Sequence, residues 1–304
     1  MAVTEGSAIV PSQLAVDPAV FVQLLVLGLL LGGIYAFVAL GLTVIFGVME
    51  VINVAHGGFV VGGMYVVWFV SDTLGSSPYL GIPLAAAVLF VVGVAIQRTA
   101  VAPVMEADED RKFLVTVAFL VIIVALVEMQ FSATPRQLDL DLGSTGVGGV
   151  YILNGQLFAL AVAGVTSAAV WVFLHRTRTG RAVRGTADSR LNAAYAGVDV
   201  RRIDYLTFGL GAALAGLAGA LITFVQPFDP YLGNEYLTVA FVVVVIGGLG
   251  SIPGTLVGGL LVGMIHVFGS FYLPGSYYNV LIMLVFVLVL LLRPAGLLGG
   301  EARG

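Results

Sequence analysis

The chain has 304 residues, of which 60% are hydrophobic and 10% are charged, and its mean hydropathy is +1.08. About a quarter of the residues of a soluble domain are charged, so this composition excludes an ordinary soluble protein and indicates a chain that crosses a membrane several times. The net charge of −4 decides little, because the side of the membrane on which each charge lies matters more than the sum, and the absence of cysteine excludes a disulfide scaffold and a thiolate metal site.

The predicted elements are apolar stretches long enough to cross a bilayer, which takes about 17 to 25 residues as a helix. Residues 1–18 precede them; they carry Glu5 and Asp17 but no Lys or Arg, so they lack the basic region of a signal peptide and are interpreted as a polar tail. The chain, 1–304, is predicted to form a single all-α transmembrane bundle of about eight to ten membrane segments. We place the spans at 19–48, 54–71, 79–101, 113–131, 155–174, 203–225, 236–250, 254–272 and 279–293.

Two of these stretches do not have the length of a simple span. The first, 19–48, has about thirty residues at ~1.5 Å each, which exceeds the hydrocarbon thickness. Gly32 and Gly33 are a candidate break in it, and a break would move the N-terminus to the other side. The stretch 236–250 is short and ends in a cluster of glycines, so a segment that dips into the membrane is the alternative to a span.

The segment 175–202 is a charged island between two spans. It holds seven of the thirteen basic residues of the chain. An Arg at the bilayer centre costs roughly 2.5 to 3.5 kcal/mol, so this cluster must lie in water, and the positive-inside rule places it in the cytoplasm. Alternating the spans then places 49–53, 102–112 and the C-terminal tail on the same side and 132–154 with Arg136 outside, as in a multi-pass protein of the cell membrane.

Two segments carry small residues at helical spacing. Such ridges let helix backbones approach closely, because lipid gives no hydrophobic drive for helix association. They indicate either packing within the chain or contact with a second, related membrane subunit. The residues concerned are Gly250, Gly254 and Gly258 in one ridge and Ala212 and Gly216 in the other.

Polar residues within the apolar stretches are the candidate residues of a translocation pathway. Asn53 and His56 are three apart, so a helix would place them on one face, and Gly57 and Gly58 would leave the backbone open beside them. An amide and an imidazole there suit the carboxylate or amine of a small zwitterion; the alternative is that they tie this helix to its neighbour. Glu128 lies near the outer end of its span, where it either lines the pathway or reaches the membrane surface.

The chain lacks the motifs of an enzyme or an ATPase. A P-loop needs a lysine after a glycine-rich turn, and the only lysine, Lys112, follows Arg111 in an acidic patch. Neither H-E-x-x-H nor G-x-S-x-G occurs, so no protease or hydrolase chemistry is visible, and no metal or cofactor is expected. An ion-coupled secondary transporter acting alone stays open, although no second half mirrors the first and no deep acidic pair suits proton coupling.

Four blocks, 32–65, 176–221, 244–263 and 290–299, carry a resemblance that covers most of the chain in order, and INVAHG and GGLGSIPG are its most specific motifs. They resemble the permease subunits of branched-chain amino-acid ABC importers, the LivH type in particular. The resemblance implies a transport subunit for branched-chain or related amino acids that performs no chemistry itself. It also implies a second related permease, two cytoplasmic ATPase subunits that use the ATP, and an extracytoplasmic substrate-binding protein, with no nucleic-acid partner. Permeases for urea or short amides look alike over the same blocks, so that substrate class stays open.

In the family that the chain resembles, the loop corresponding to 175–202 carries a coupling helix that fits a groove of the ATPase. The pattern of ABC importers at large has Glu-Ala-Ala there, whereas this chain has Asn192 in place of the Glu. Leu191 and Tyr195 are four apart, so a helix would bring them together as apolar contacts. The residues assigned to ATPase coupling are Asp188, Arg190, Leu191, Ala193, Ala194, Tyr195 and Gly197.

Overall fold

The structure, a computed structural model, describes residues 17–299 and consists almost entirely of helices. Most of the polar tail predicted at 1–18 and the last residues of the C-terminal tail, 300–304, lie outside the described residues. A short antiparallel hairpin, β1 (Ser144–Val147) and β2 (Val150–Leu153), joins α4 to α5. The helices are α1 (Pro18–Met49), α2 (His56–Trp68), α3 (Pro78–Ile96), α4 (Glu109–Phe131), α5 (Asn154–Arg176), α6 (Arg178–Asp188), α7 (Arg190–Tyr195), α8 (Val200–Ile222), α9 (Leu232–Gly247), α10 (Ile252–Tyr272) and α11 (Tyr277–Leu292).

Six of the described helices are long and apolar enough to cross a membrane, which confirms the predicted class of an all-α polytopic bundle. They are α1, α3 with its extension to Val104, α4, α5, α8 and α10. α9 and α11 are apolar but have only 16 residues each. α2 has 13 residues and continues as a π-helical turn, Phe69–Thr73. Each predicted span therefore corresponds to a helix, and the stretch 236–250 corresponds to α9, which at ~24 Å is shorter than the hydrocarbon core.

α1 is one continuous helix of 32 residues, so the break considered at Gly32 and Gly33 is not present. The Asp17 side chain accepts a hydrogen bond from the N–H of Ala19 at 3.0 Å, which caps the start of the helix. Gly32 serves packing instead: a Cβ there would lie 2.7 Å from the Cα of Leu260 in α10. The absence of a side chain therefore lets α10 approach α1 closely along an unbroken helix.

α8 lies at the centre of the bundle, between α2 and α3. A Cβ on Gly63 of α2 would lie 1.9 Å from the carbonyl oxygen of Gly216 in α8. On the other side of α8, a Cβ on Gly93 of α3 would lie 2.5 Å from the Cβ of Ala212. The small residues of this ridge therefore let three helix backbones meet within the chain, where larger side chains would hold them apart.

The other predicted ridge is wrong at one of its three positions. Gly250 precedes α10 and lies in a turn with a φ of +78°, a conformation that favours glycine. Gly254 and Gly258 do lie in α10, where they pack against Gly247 and Val243 of α9. The glycine spacing thus combines a turn, in which Gly250 lies against Gly47 of α1, with a helix face that packs against α9.

The two ends of the helix bundle differ in charge. Arg190 of α7 donates to the carbonyl of Val48 at the end of α1, at 3.3 Å, and the N–H of Leu297 donates to the carbonyl of Ile246 at the end of α9, at 2.8 Å. These contacts bring together the segments that the sequence placed on one side of the membrane. We call the basic end the surface formed by 47–50, 97–112, 176–204, 247–251 and 293–299.

The opposite end holds the hairpin and the start of α1. Gln23 of α1 and Tyr151 of β2 exchange two hydrogen bonds of 2.7 Å, and the guanidinium of Arg136 lies 3.9 Å from the ring centroid of Trp68. Among residues 17–299, Arg136 is the one Lys or Arg at this end. The one-sided distribution of basic residues is therefore a property of the fold, whereas the hairpin was not predicted from the sequence.

Candidate functional site

The charged island 175–202 folds into two helices on the basic end. α6 begins after Thr177, whose hydroxyl accepts a hydrogen bond from the N–H of Gly180 at 2.9 Å. α7 begins after Ser189, whose hydroxyl accepts from the N–H of Asn192 at 3.3 Å. Hydroxyl side chains in this position satisfy free N–H groups of the first helical turn. The island is therefore an ordered two-helix element, where the sequence predicted one short helix in a loop.

Arg190 fixes α7 to the membrane part of the protein. Its guanidinium donates to both carboxylate oxygens of Asp204 in α8, at 2.9 and 2.7 Å. Asp204 is buried, and two parallel bonds between these planar groups give a strong, well-oriented contact. The hydrogen bond to Asp204 keeps the pKa of Arg190 above its ordinary value. The sequence assigned Arg190 to an external partner, but its guanidinium contacts α8 and α1. Asp188, the other charged candidate, is exposed at the end of α6.

α7 turns two large apolar side chains away from the protein. Leu191 is 62% exposed and Tyr195 is 79% exposed, whereas Ala193 on the inner side is buried. Ala194 is also exposed, and the chain leaves the helix through Gly197, whose φ is +82°. Neighbouring apolar side chains held outward on a charged surface are typical of a site that another protein covers. We call Leu191, Ala194 and Tyr195 the α7 surface.

Asn53 and His56 lie where the chain turns back into the bundle between α1 and α2. The predicted shared helix face is wrong, because α2 begins at His56 and Asn53 precedes it in a non-helical segment. Both side chains are fully buried, and the Nε2 of His56 lies 2.9 Å from the carbonyl oxygen of Val38 in α1. The backbone beside them is not open either, since a Cβ on Gly57 would lie 2.8 Å from the carbonyl oxygen of Gly233. Val38 lies well inside α1, so α2 begins at membrane depth.

Non-helical backbone at membrane depth is tolerated only where protein or a water-filled cavity surrounds it. Thr116 of α4 covers it here, because its hydroxyl accepts from the N–H of Val54 at 3.2 Å and lies 3.1 Å from the carbonyl oxygen of Ile52. The side-chain amide of Asn53 and the Nδ1 of His56 have no hydrogen-bond partner among the described residues. The contact of His56 with α1 favours the alternative that it ties α2 to its neighbour. A role of the two residues in a pathway stays a prediction.

Glu128 lies near the last turn of α4, at the opposite end of the molecule. The hydroxyl of Tyr231, which directly precedes α9, donates to its carboxylate at 2.8 Å. This hydrogen bond joins α4 to the start of α9 and gives the carboxylate a partner close to the membrane surface. A role of Glu128 in a pathway also stays a prediction.

A cavity of about 710 Å³ lies in the half of the bundle nearer the opposite end, among α1, α9, α10 and α11. The hydroxyl of Tyr35 lies 2.8 Å from the Nδ1 of His266, and the ring of Tyr278 packs against His266 with the centroids 4.2 Å apart. Glu235 and Tyr236, from the first turns of α9, line the cavity beside them. Its apolar lining includes Leu31, Ile34, Ile222, Val239, Val242 and Ile282.

This cavity was not predicted from the sequence. One signal was present, because His266 lies inside the predicted span 254–272, and ionisable groups at membrane depth point to function. Glu235 gave a weaker signal. It precedes the predicted span 236–250 by one position, so the sequence placed it in a loop. Periodicity indicates which residues are helical, but it does not indicate which helices close around a common space.

The apolar helices enclose a partly polar cavity toward one end of the bundle. At the other end, the α7 surface points outward from the charged helices α6 and α7. This combination is typical of a membrane transport subunit. The chain belongs to the family described as branched-chain amino acid transport system, permease component, whose model matches residues 24–290. This confirms the family that the sequence motifs indicated.

Several curated proteins are similar over nearly the whole chain. The high-affinity branched-chain amino acid transport system permease protein LivH of Salmonella typhimurium is 30% identical over 302 residues, which cover 92% of this chain and 96% of that protein. The permease protein BraD of Pseudomonas aeruginosa, from a transport system of the same description, is 30% identical over 295 residues with the same coverage. The ribose import permease protein RbsC of Escherichia coli is 29% identical over 138 residues, 43% of each chain. No solved structure matches the chain significantly.

Proposed function

We propose that this chain is the permease subunit of a binding-protein-dependent ABC importer and forms the translocation pathway for branched-chain or related amino acids. The relatives named LivH and BraD are permease proteins of branched-chain amino acid transport systems, and their similarity extends over nearly the whole chain. The structural observation that supports the proposal is the α7 surface, because an outward apolar pair on an ordered helix suits docking of a separate ATPase. The permease itself performs no chemistry, and the ATP is used by its partners.

The proposed assembly contains a second related permease, two ATPases on the basic end and a substrate-binding protein on the opposite end. The positive-inside rule supports this orientation, since Arg136 is the one described basic residue away from the basic end. The cavity among α1, α9, α10 and α11 then lies on the side from which a binding protein would deliver substrate. The proposal therefore includes a location in the cell membrane with the island 175–202 in the cytoplasm.

The orientation can be tested by labelling single cysteines. Ala196→Cys, just after α7, should react with a membrane-impermeant maleimide only after the cytoplasmic side is opened, whereas Ser144→Cys in β1 should react in intact cells. Both positions are exposed, and the chain has no cysteine of its own to give a background. Labelling of both positions in intact cells would contradict the orientation.

The proposed function is tested by reconstituting the permease with its partner permease, ATPases and binding protein in proteoliposomes. Radiolabelled leucine, isoleucine or valine should accumulate only when ATP is present on the ATPase side and the loaded binding protein on the other. ATP-dependent accumulation of urea or a short amide instead would favour that importer class. Accumulation by this chain alone, driven by an ion gradient without ATP, would favour a secondary transporter.

A further inference from the structure

We propose that the cavity among α1, α9, α10 and α11 binds the amino acid in transit, with Glu235 receiving its ammonium group and Tyr236 and His266 its carboxylate. The proposal rests on the proposed function, which supplies the class of cargo. It adds the place where that cargo is held within the permease and the side chains that distinguish its two charged groups.

Glu235 is a carboxylate in the cavity lining without a cation of its own. It lies in the first turn of α9 and is exposed to the cavity mouth. None of the ion pairs among residues 17–299 involves it, and Arg136, the described basic residue at this end, lies over Trp68. A carboxylate hydrogen bond to an ammonium group is about twice as strong as one between neutral groups. The carboxylate of Glu235 can therefore pair with a cationic group of a ligand in the cavity.

Tyr236 and His266 offer hydrogen-bond donors that the protein leaves unused. Tyr236 is 7% exposed and lines the cavity, yet its hydroxyl makes no hydrogen bond to another described residue. When Tyr35 donates to the Nδ1 of His266, the ring proton is on Nε2, which then donates to a ligand. The Oε1 of Gln156, in the same lining, is also buried without a partner. A buried acceptor without a partner costs free energy, so a ligand that donates to the Oε1 of Gln156 is favoured.

The rest of the lining suits the apolar side chain of such a cargo. Ile34, Val239 and Ile282 provide apolar wall beside the polar groups, and the volume of about 710 Å³ lies within the range of about 300–1,000 Å³ of small-molecule sites. Urea has no charge to pair with Glu235 and no apolar part to contact this wall. A sugar is neutral, and its hydroxyl groups would lose hydrogen bonds against the aliphatic side chains. The combination therefore favours a zwitterion with an apolar side chain.

The test uses the assembled importer in proteoliposomes and measures radiolabelled leucine imported per ATP hydrolysed. Glu235→Gln keeps the shape of the side chain but removes its charge, and it should lower this ratio about tenfold or more, as expected for loss of a charged hydrogen bond. Tyr236→Phe removes only the hydroxyl and should lower the ratio severalfold. Asp72→Asn and Tyr277→Phe are matched controls, because both residues are exposed at the same end outside the cavity, and they should leave the ratio unchanged.

The outcomes separate this proposal from the proposed function. If the unmodified complex imports leucine and both Glu235→Gln and Tyr236→Phe retain its ratio, the cavity is not the binding site and the importer function stands. If the unmodified complex imports no apolar amino acid but does import ribose or urea, the proposed function itself is wrong. Should Glu235→Gln fail to assemble, Tyr236→Phe decides, since one oxygen atom is its only change.

Discussion

A permease that carries Leu191→Asp together with Tyr195→Asp should reach the membrane in normal amounts, retain no ATPase and import no amino acid. Each exposed side chain that a partner buries contributes roughly 1.5–3 kcal/mol. A carboxylate in its place must be desolvated without a partner charge, which adds to the loss. Two such changes sum to roughly 3–6 kcal/mol, which should weaken ATPase binding by about two to four orders of magnitude. Co-purification of the ATPase with the tagged permease measures this directly.

The structure makes this pair a cleaner test than changes elsewhere in α7. Leu191 and Tyr195 point away from the protein, so their replacement should not disturb the contact of Arg190 with Asp204. Gly197 is unsuitable, because any side chain at a φ of +82° strains the backbone. Thr179→Asp places one aspartate on α6, against two on α7 in the double variant, and serves as the control, which should retain the ATPase. Normal co-purification of the double variant would move the docking site to another part of the basic end, with the acidic loop around 106–112 as the next candidate.

The positions of the membrane helices and the grouping of their ends were predictable from the sequence. Twenty or so apolar residues have few ways to satisfy their backbone in lipid, so length and composition alone indicate a helix. Arg residues are costly at membrane depth, so their positions indicate which loops share a side, and the contact of Arg190 with Val48 agrees with that grouping. These rules depend on the solvent around each segment and not on how the segments pack.

The features that were missed depend on packing between distant parts of the chain. Asn53 and His56 have the spacing of a helix face, but the chain is held in a non-helical turn there by Thr116, sixty or more residues away. Gly250 has helical spacing from Gly254 and yet lies in a turn. The cavity arises because Glu235 and His266, on different helices, are brought to one space. The spacing of residues along the chain does not indicate contacts between distant segments, so these features were not predicted from the sequence.

Replacing Gly63 with alanine should prevent the bundle from folding, although the change adds one methyl group. The new Cβ would lie 1.9 Å from the carbonyl oxygen of Gly216, an atom of the backbone of α8 that no rotamer change can move. α2 and α8 would have to separate, and overpacking of this kind costs about 1–3 kcal/mol even where side chains can adjust. The same contact recurs nearby, since a Cβ on Gly219 would lie 1.9 Å from the carbonyl oxygen of Val60. We expect little or no monodisperse protein by size-exclusion chromatography in detergent.

Gly62 provides the control. It tests whether close contact between backbones, and not the loss of a glycine as such, prevents folding. A Cβ on Gly62 would meet the Cδ1 of Leu89 at 3.2 Å, and that methyl group belongs to a side chain that can shift. Gly62→Ala should therefore fold and lose at most a few degrees of melting temperature. Gly164→Ala, which would meet no atom within 4 Å, should fold and gain up to about 1 kcal/mol from helix propensity. If Gly63→Ala instead yields as much folded protein as Gly62→Ala, the backbones of α2 and α8 are not in contact, and the central position of α8 between α2 and α3 is wrong.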